Sequence, residues 1–335
     1  LYPFFENRLF KLFHFLLKPI LFIFSIFQMY IILKKIKFDI LLFNLGGYGD
    51  FRSELGGILA AKLQNKNNLF LLIHHCYSKP FFWNNTVNKF LSFFLGLIVK
   101  RIIFVSKATK NNISKNTNLL KMSKTKSKII YNGVDTKLSS RKNKKLFGRY
   151  KSKIKVLMLS RIEKYKGHED FIEAFSRLPK KIKDKFQILF VGSGKTAYIL
   201  ELKYKIEKLK LKNYFSFYNY LNYESIEIFK SVDIFFSLTR DFEGFGYSIA
   251  ESLLAKTPVV ATKVGGVVEF LNKHNSDLIE PKNIKKIEES LIRFTHDKNY
   301  FKTKSLKGSS LIKKKFNSEL MGKNFYSYFH SNATL

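Results

Sequence analysis

Short runs of continuously apolar residues alternate along most of this chain with stretches where apolar residues recur every third or fourth position. A run of four to eight apolar residues between turn residues suits a strand buried on both faces; the 3.6-residue period suits the helices that cover it. In the second half, six such runs stand at 155–160, 187–191, 215–218, 233–238, 258–262 and 277–280. Six strands with intervening helices predict one complete parallel sheet of the Rossmann type. The first half offers four, at 38–44, 69–74, 101–105 and 128–131. The predicted fold class is α/β, with two Rossmann-like domains built on parallel sheets.

The opening residues break this alternation. Residues 19–33, PILFIFSIFQMYIIL, are apolar but shorter than the ~18 to 20 residues that span a bilayer. Lys11, His14 and Lys18 interrupt the sequence before them, and Lys34-Lys35 ends the run. No small-residue cleavage site follows, which argues against a signal peptide. A core helix packed on a sheet is the first reading, and a helix lying on a membrane surface is the second. The polar, basic stretch 138–153 suits a hinge. The expected domains are therefore 1–140 and 141–312, followed by a helical tail at 313–335.

Composition changes the picture in two places. Formal net charge is +35, from 60 Lys and Arg against 25 Asp and Glu. Such a balance usually points to nucleic acid. Here the lysines are spread over the whole chain beside abundant Asn, Ile and Phe, and Arg, the residue that best reads base edges, is scarce. We read the charge as compositional bias, with no nucleic-acid partner expected and an anionic membrane surface as the better fit. The single Cys76 excludes an internal disulfide framework and points to the cytosol. No Cys/His cluster suggests a metal. Asn84-Asn85-Thr86 matches a glycosylation acceptor, as an Asn-rich chain does by chance.

The densest chemistry lies at 241–271, DFEGFGYSIAESLLAKTPVVATKVGGVVEFL. Gly244, Phe245, Gly246 and Tyr247 stand between Glu243 and Glu251, where a helix opens. A helix start offers free backbone N–H groups and a positive dipole end, a ready site for a phosphate. A carboxylate one turn inside suits hydroxyls instead, for which it is a strong acceptor. Phosphate and hydroxyls together describe a sugar nucleotide. The competing structural reading is a capping box, Ser248-x-x-Glu251. That reading leaves Glu243, the paired glycines and the later Gly265-Gly266 turn unexplained.

Arg161 and Lys166 follow the first strand of the second half, at the carboxyl edge where open α/β sheets bind ligands. Two cations on one loop can close over a diphosphate and stabilise the charge left on a departing nucleoside diphosphate. In so basic a chain, two solvated surface cations are the alternative. VGSGKTAY, 191–198, lacks a Walker cradle, because Leu189 stands where the first glycine belongs. His74 and His75 end a buried-type strand, and Gly46, Gly47, Tyr48 and Gly49 follow another.

These residues carry a resemblance. The 241–271 segment resembles the signature of retaining glycosyltransferases of family 4, in which two glutamates are separated by seven residues with Gly-Phe-Gly after the first. VSKATKNNI (105–113), IIYNGVDTK (129–137) and VLMLSRIEKYKGHEDFIEAF (156–175) match further family segments in order. The resemblance runs over about residues 39–328 and implies the GT-B fold, two Rossmann-like domains facing across a cleft. It also implies that Glu251 holds ribose hydroxyls and Glu243 the donor sugar. The amides of Phe245, Gly246 and Tyr247, beside Gly244, would meet the phosphates, with Arg161 and Lys166 opposite. His74, which aligns better than His75, would contact the donor sugar, and Gly46 and Gly47 would line the cleft. In the family the last helix commonly crosses back to the first domain, where Phe316, Met321 and Tyr328 could anchor it.

No Asp-x-Asp motif is present, so a metal-independent site with no cofactor is expected. The expected activity is transfer of a sugar from a nucleotide-sugar donor to a glycan or lipid-linked acceptor of the cell envelope, with retention. The expected location is cytoplasmic, peripheral at the membrane. The family's first domain begins with further strands, so this chain, which opens on Leu1, reads as N-terminally truncated. A nucleotide-sugar epimerase on the same fold and a non-catalytic sugar-nucleotide-binding remnant are the alternatives.

Overall fold

The computed structural model describes residues 8–48, 52–77, 85–121, 126–137, 146–150 and 152–332. The chain divides into two compact units, Leu1–Ile130 with Asn324–Leu335, and Tyr131–Lys323. Asn84, Gly49 and the expected domain boundary at 140/141 lie outside the described residues.

The first unit runs α1 (Arg8–Lys34), β1 (Leu41–Leu45), α2 (Arg52–Leu63), β2 (Leu69–Ile73), α3 (Asn85–Ile98), β3 (Arg101–Phe104), α4 (Lys107–Asn116) and β4 (Lys126–Ile129). Its four strands are parallel, in the order β1-β2-β3-β4. All five residues of β2 are buried, as a parallel strand covered on both faces must be. On one face Leu69, Leu71 and Ile73 join Ile102 and Phe104 in the core. On the other, Phe70 meets the rings of Tyr328 and Phe329 edge-on, at centroid distances of 6.2 and 5.1 Å.

The α1 helix joins the core of this unit by one face: Leu33 is buried in the cluster that holds Phe43 and Leu45, and Ile26, Met29 and Tyr30 pack against it. Its inner face packs on α2, where Phe22, Ser25 and Ile26 close over Gly56 and Met29 lies against Gly57. Gly57 in turn faces Phe43 of β1. The outer face leaves Ile20, Ile23, Phe24 and Phe27 55–66 % exposed. A helix apolar all round normally buries both faces. Among the described residues, no helix is long and apolar enough to cross a membrane.

The second unit runs β5 (Ile154–Leu159), α5 (His168–Arg177), α6 (Lys180–Lys183), β6 (Phe186–Val191), α7 (Thr196–Lys208), β7 (Phe215–Tyr218), α8 (Ser225–Lys230), β8 (Ile234–Ser237), α9 (Tyr247–Leu254), β9 (Val259–Thr262), β10 (Asp277–Ile279), α10 (Ile284–His296), α11 (Lys298–Lys315) and the start of α12 (Ser318–His330). Six parallel strands take the order β10-β9-β8-β5-β6-β7. The strand order reverses between β5 and β8, which pair directly. Helices cover both faces over two cores. One gathers Phe171, Phe175, Phe190 and Phe236; the other gathers Leu157, Phe235, Ile249 and Leu253. Helix α5 shows how the sequence divides: Phe171, Ile172 and Phe175 face inward, while Glu173 and Arg177 pair outside.

The tail expected as one helix is two. Phe316 ends α11 and packs with Tyr131, Phe245 and Phe270 in the second unit. There too the Gly133 N–H donates to the Met321 sulfur at 3.2 Å. The remainder of α12 belongs to the first unit, with Tyr328 on Phe70 and Asn332 accepting from Arg101 Nε at 2.6 Å.

Candidate active site

In an open α/β sheet, ligands bind outside the carboxyl ends of the strands where the order reverses. The loops at that point in the second unit carry Lys166, seven residues after β5, and Glu243, six after β8. The two meet: Lys166 Nζ donates to Glu243 Oε2 at 2.8 Å, with both side chains largely buried. Thr239 Oγ1 lies 3.4 Å from each partner. A cation and a carboxylate 77 positions apart in sequence thus share one small polar centre at the reversal.

Glycines let the loops close this tightly. Gly167 adopts φ +76°, and a Cβ there would come within 2.2 Å of the Leu238 carbonyl oxygen. Gly265, at φ +54°, would place a Cβ 2.1 Å from the Glu243 carbonyl oxygen, which accepts from Gly266 N–H at 2.7 Å. The paired glycines after β9 therefore seat the backbone of Glu243. VGSGKT has a structural explanation of the same kind: the loop bearing Gly192 and Gly194 lies against Ser160 and Ile162, beside Arg161.

Helix α9 opens on Gly246 at φ 90°, with no side-chain cap. Ser248 is already inside the helix, so the capping-box reading of Ser248 and Glu251 does not describe this turn. The N–H groups of Ile249 and Ala250 turn back to the Gly246 carbonyl, leaving those at the very start unspent within the helix. Gly244, Phe245 and Gly246 are buried, and Phe245 is wedged between Phe270 and Phe316. Tyr247 is exposed. One turn on, the Glu251 carboxyl is half-buried; burial raises its pKa above 4.5, opposed by a hydrogen bond from Ser225.

Arg161 points to solvent, bonded to Tyr165 Oη at 2.6 Å and Glu163 Oε1 at 3.1 Å. Buried His168 stacks edge-on against Phe190, and burial, then Lys166, lowers its pKa to about 3, so it is neutral at physiological pH. Arg240 escaped the sequence reading. Its guanidinium forks onto Asp170 at 2.9 and 2.7 Å and reaches Glu169 at 3.3 Å. A chain with 60 Lys and Arg hides one engaged arginine; the only usable signal was its place just past a buried strand.

The first-unit candidates also stand at carboxyl ends of strands, after β1 and β2. The His74 N–H donates to the Leu45 carbonyl oxygen, and burial lowers its imidazole pKa. His74 Nε2 is buried with no hydrogen-bond partner, whereas His75 Nδ1 contacts Cys76 Sγ at 3.2 Å. A Cβ on Gly46 would meet nothing within 4 Å, and on Gly47 only the Cys76 carbonyl oxygen at 3.9 Å. No group of three His, Cys, Asp or Glu among the described residues could hold a metal.

Two parallel-sheet units, the second with its charged centre at a strand-order reversal, fit the GT-B architecture. A glycosyltransferase from Rickettsia africae superposes with TM-score 0.75 at 22% identity, over 94% of this chain and 82% of its own. The Anabaena HepE protein, in complex with UDP and glucose, superposes with TM-score 0.74 at 21% identity, over 84% of this chain and 76% of its own. The family described as glycosyl transferases group 1 matches residues 139–307, and the chain belongs to it. An uncharacterised glycosyltransferase of Methanocaldococcus jannaschii is 27% identical over 93% of this chain and 80% of its own length. The protein is thus a glycosyltransferase; these matches favour it over the epimerase and the non-catalytic remnant.

Proposed function

We propose that the second unit binds the donor, a nucleotide-activated sugar, in the manner of family 4 enzymes and with retention of configuration. The observation that carries this reading is the Lys166–Glu243 pair at the strand-order reversal. Each neutralises the other. An arriving diphosphate competes for the Lys166 ammonium, and Glu243, released, accepts from the sugar hydroxyls. Arg161 swings from the surface onto the same phosphates, aided by the amides around Gly244, Phe245, Gly246 and Tyr247. Glu251 accepts from the ribose hydroxyls, a role supported by its half-burial and its freedom from capping.

Lys166, Arg161 and the helix-start amides stabilise the negative charge as the nucleoside diphosphate departs, so no divalent cation is invoked. With same-face attack by the acceptor, no protein nucleophile is required. For His74 the proposed role is contact with the donor sugar. The Anabaena complex with UDP and glucose supports the donor class. For the acceptor we propose a glycan or lipid-linked glycan of the cell envelope, reached at the cytoplasmic face of an anionic membrane. The basic, apolar surface of the first unit supports that setting.

Thermal unfolding of the whole chain with UDP, GDP or ADP at millimolar concentration tests the donor site. A ligand at one hundred times Kd that binds only the folded state adds about 2.7 kcal/mol. If none of the three moves the transition, the donor assignment is wrong.

A further inference from the structure

Arg240 touches none of the groups assigned to the donor, yet it joins the two loops that carry them. Its backbone N–H donates to the Tyr165 carbonyl oxygen at 2.7 Å, one residue before Lys166. Three residues after it stands Glu243. Its side chain, 18% exposed, passes to the first turn of α5 and forks onto the buried Asp170 carboxylate, with Glu169 as a further acceptor. These hydrogen bonds and that partner hold the guanidinium firmly in its charged form.

Other contacts restrain the same loop from different sides. The Thr262 hydroxyl holds the Thr239 carbonyl at 2.6 Å, and Gly266 N–H holds that of Glu243. Both restrain the β8 loop from the β9 side. Toward the turn that bears Lys166, the described contacts are the Lys166 ammonium on Glu243 and Thr239, the close approach at Gly167, and Arg240 through its N–H and its fork onto α5. A fork onto a carboxylate fixes direction as well as distance, which a lysine at the same place would not do.

We propose that Arg240 is a positioning residue for the donor site: through Asp170 and the Tyr165 carbonyl it holds Lys166 and Glu243 in register. The proposal rests on the donor-site reading above. It predicts that Arg240 acts on nucleotide affinity through Lys166, whereas a general loss of stability would act regardless of Lys166.

A double-mutant cycle on the full chain separates these. Binding of UDP, with GDP and ADP alongside, is measured by calorimetry for wild type, Arg240→Gln, Lys166→Met and the double variant, below their melting temperatures. Arg240→Gln is expected to weaken binding about tenfold in the native background and less than twofold in the Lys166→Met background. Equal factors in the two backgrounds would overturn the proposal. Arg240→Lys keeps the charge without the fork; it should fall between wild type and Arg240→Gln, and it carries the cycle if Arg240→Gln does not fold. Wild-type affinity for Arg240→Lys would also overturn it. Absence of binding to wild type by all three nucleotides would remove the donor reading itself, a result distinct from equal factors.

Discussion

The two units use the carboxyl edges of their sheets differently. In the second, the strand order reverses between β5 and β8, and the loops there are locked by Gly167, Gly265 and the fork of Arg240. Among the described strands of the first, the order runs one way, β1-β2-β3-β4. Its edge glycines Gly46 and Gly47 face nearly open space. The surfaces differ as well. The first 130 residues carry 20 Lys and Arg against 4 Asp and Glu, while the rest of the chain carries 40 against 21. Exposed Ile and Phe gather on α1 and α3. The second unit's edge is locked by close contacts; the first unit's edge glycines meet almost nothing.

The largest effect should come from the locked edge. Lys166→Met is expected to lower turnover about a hundred- to a thousandfold, the range for removing a group that stabilises developing charge. Release of sugar from radiolabelled nucleotide sugars onto membrane extract measures it, and a loss under fivefold would move the charged centre elsewhere. Glu251→Gln comes next. It should cost about ten- to a hundredfold in nucleotide affinity, since a charged acceptor is worth about 1.5–3 kcal/mol. Glu251 also brings a pH limb. Its pKa is raised, so its charge is lost at a higher pH than that of an exposed carboxyl. Wild-type affinity should be full above that raised value and decline as pH falls through it, and Glu251→Gln should flatten this limb. A variant with unchanged affinity and the same acid limb would exclude Glu251 from the ribose.

In the open unit the effects should be smaller. His74→Ala is expected to cost about fivefold in turnover, the scale of one neutral hydrogen bond, with nucleotide affinity unchanged. An equal loss in nucleotide affinity would instead make His74 a structural residue. The smallest effect concerns the basic surface. Vesicles of anionic lipid should retain the protein at low salt and release it as ionic strength rises. Retention on neutral vesicles would assign binding to the apolar face of α1, and absence from both would leave the charge compositional.

Much of this contrast was legible in the sequence. The ten strands stand on or beside the ten predicted runs, and β2, β6 and β9 read as nearly unbroken runs because parallel strands buried on both faces have no place for polar residues; the edge strand β4, KSKI, has no such pattern. Glu243, Glu251 and their glycines stood out because turn and helix-start chemistry is local. What stayed hidden was long-range or ambiguous. The Lys166–Glu243 and Arg240–Asp170 pairs join residues 77 and 70 positions apart, and no periodicity records such partners. Ser248 mimicked a cap because the motif ignores backbone sign; Gly246 at positive φ takes the cap position instead. The core side of α1 was expected, but its exposed face was not, because apolar residues on every side give no inward direction.

The way α12 ends has a consequence for biosynthesis. Phe70 leaves the ribosome early, but the rings that cover it, Tyr328 and Phe329, are made about 260 residues later. At about 5–20 residues per second the interval is on the order of ten seconds or more. During that time the second unit can fold as a continuous segment, while the first keeps an uncovered aromatic face. The unit that starts first is therefore completed last.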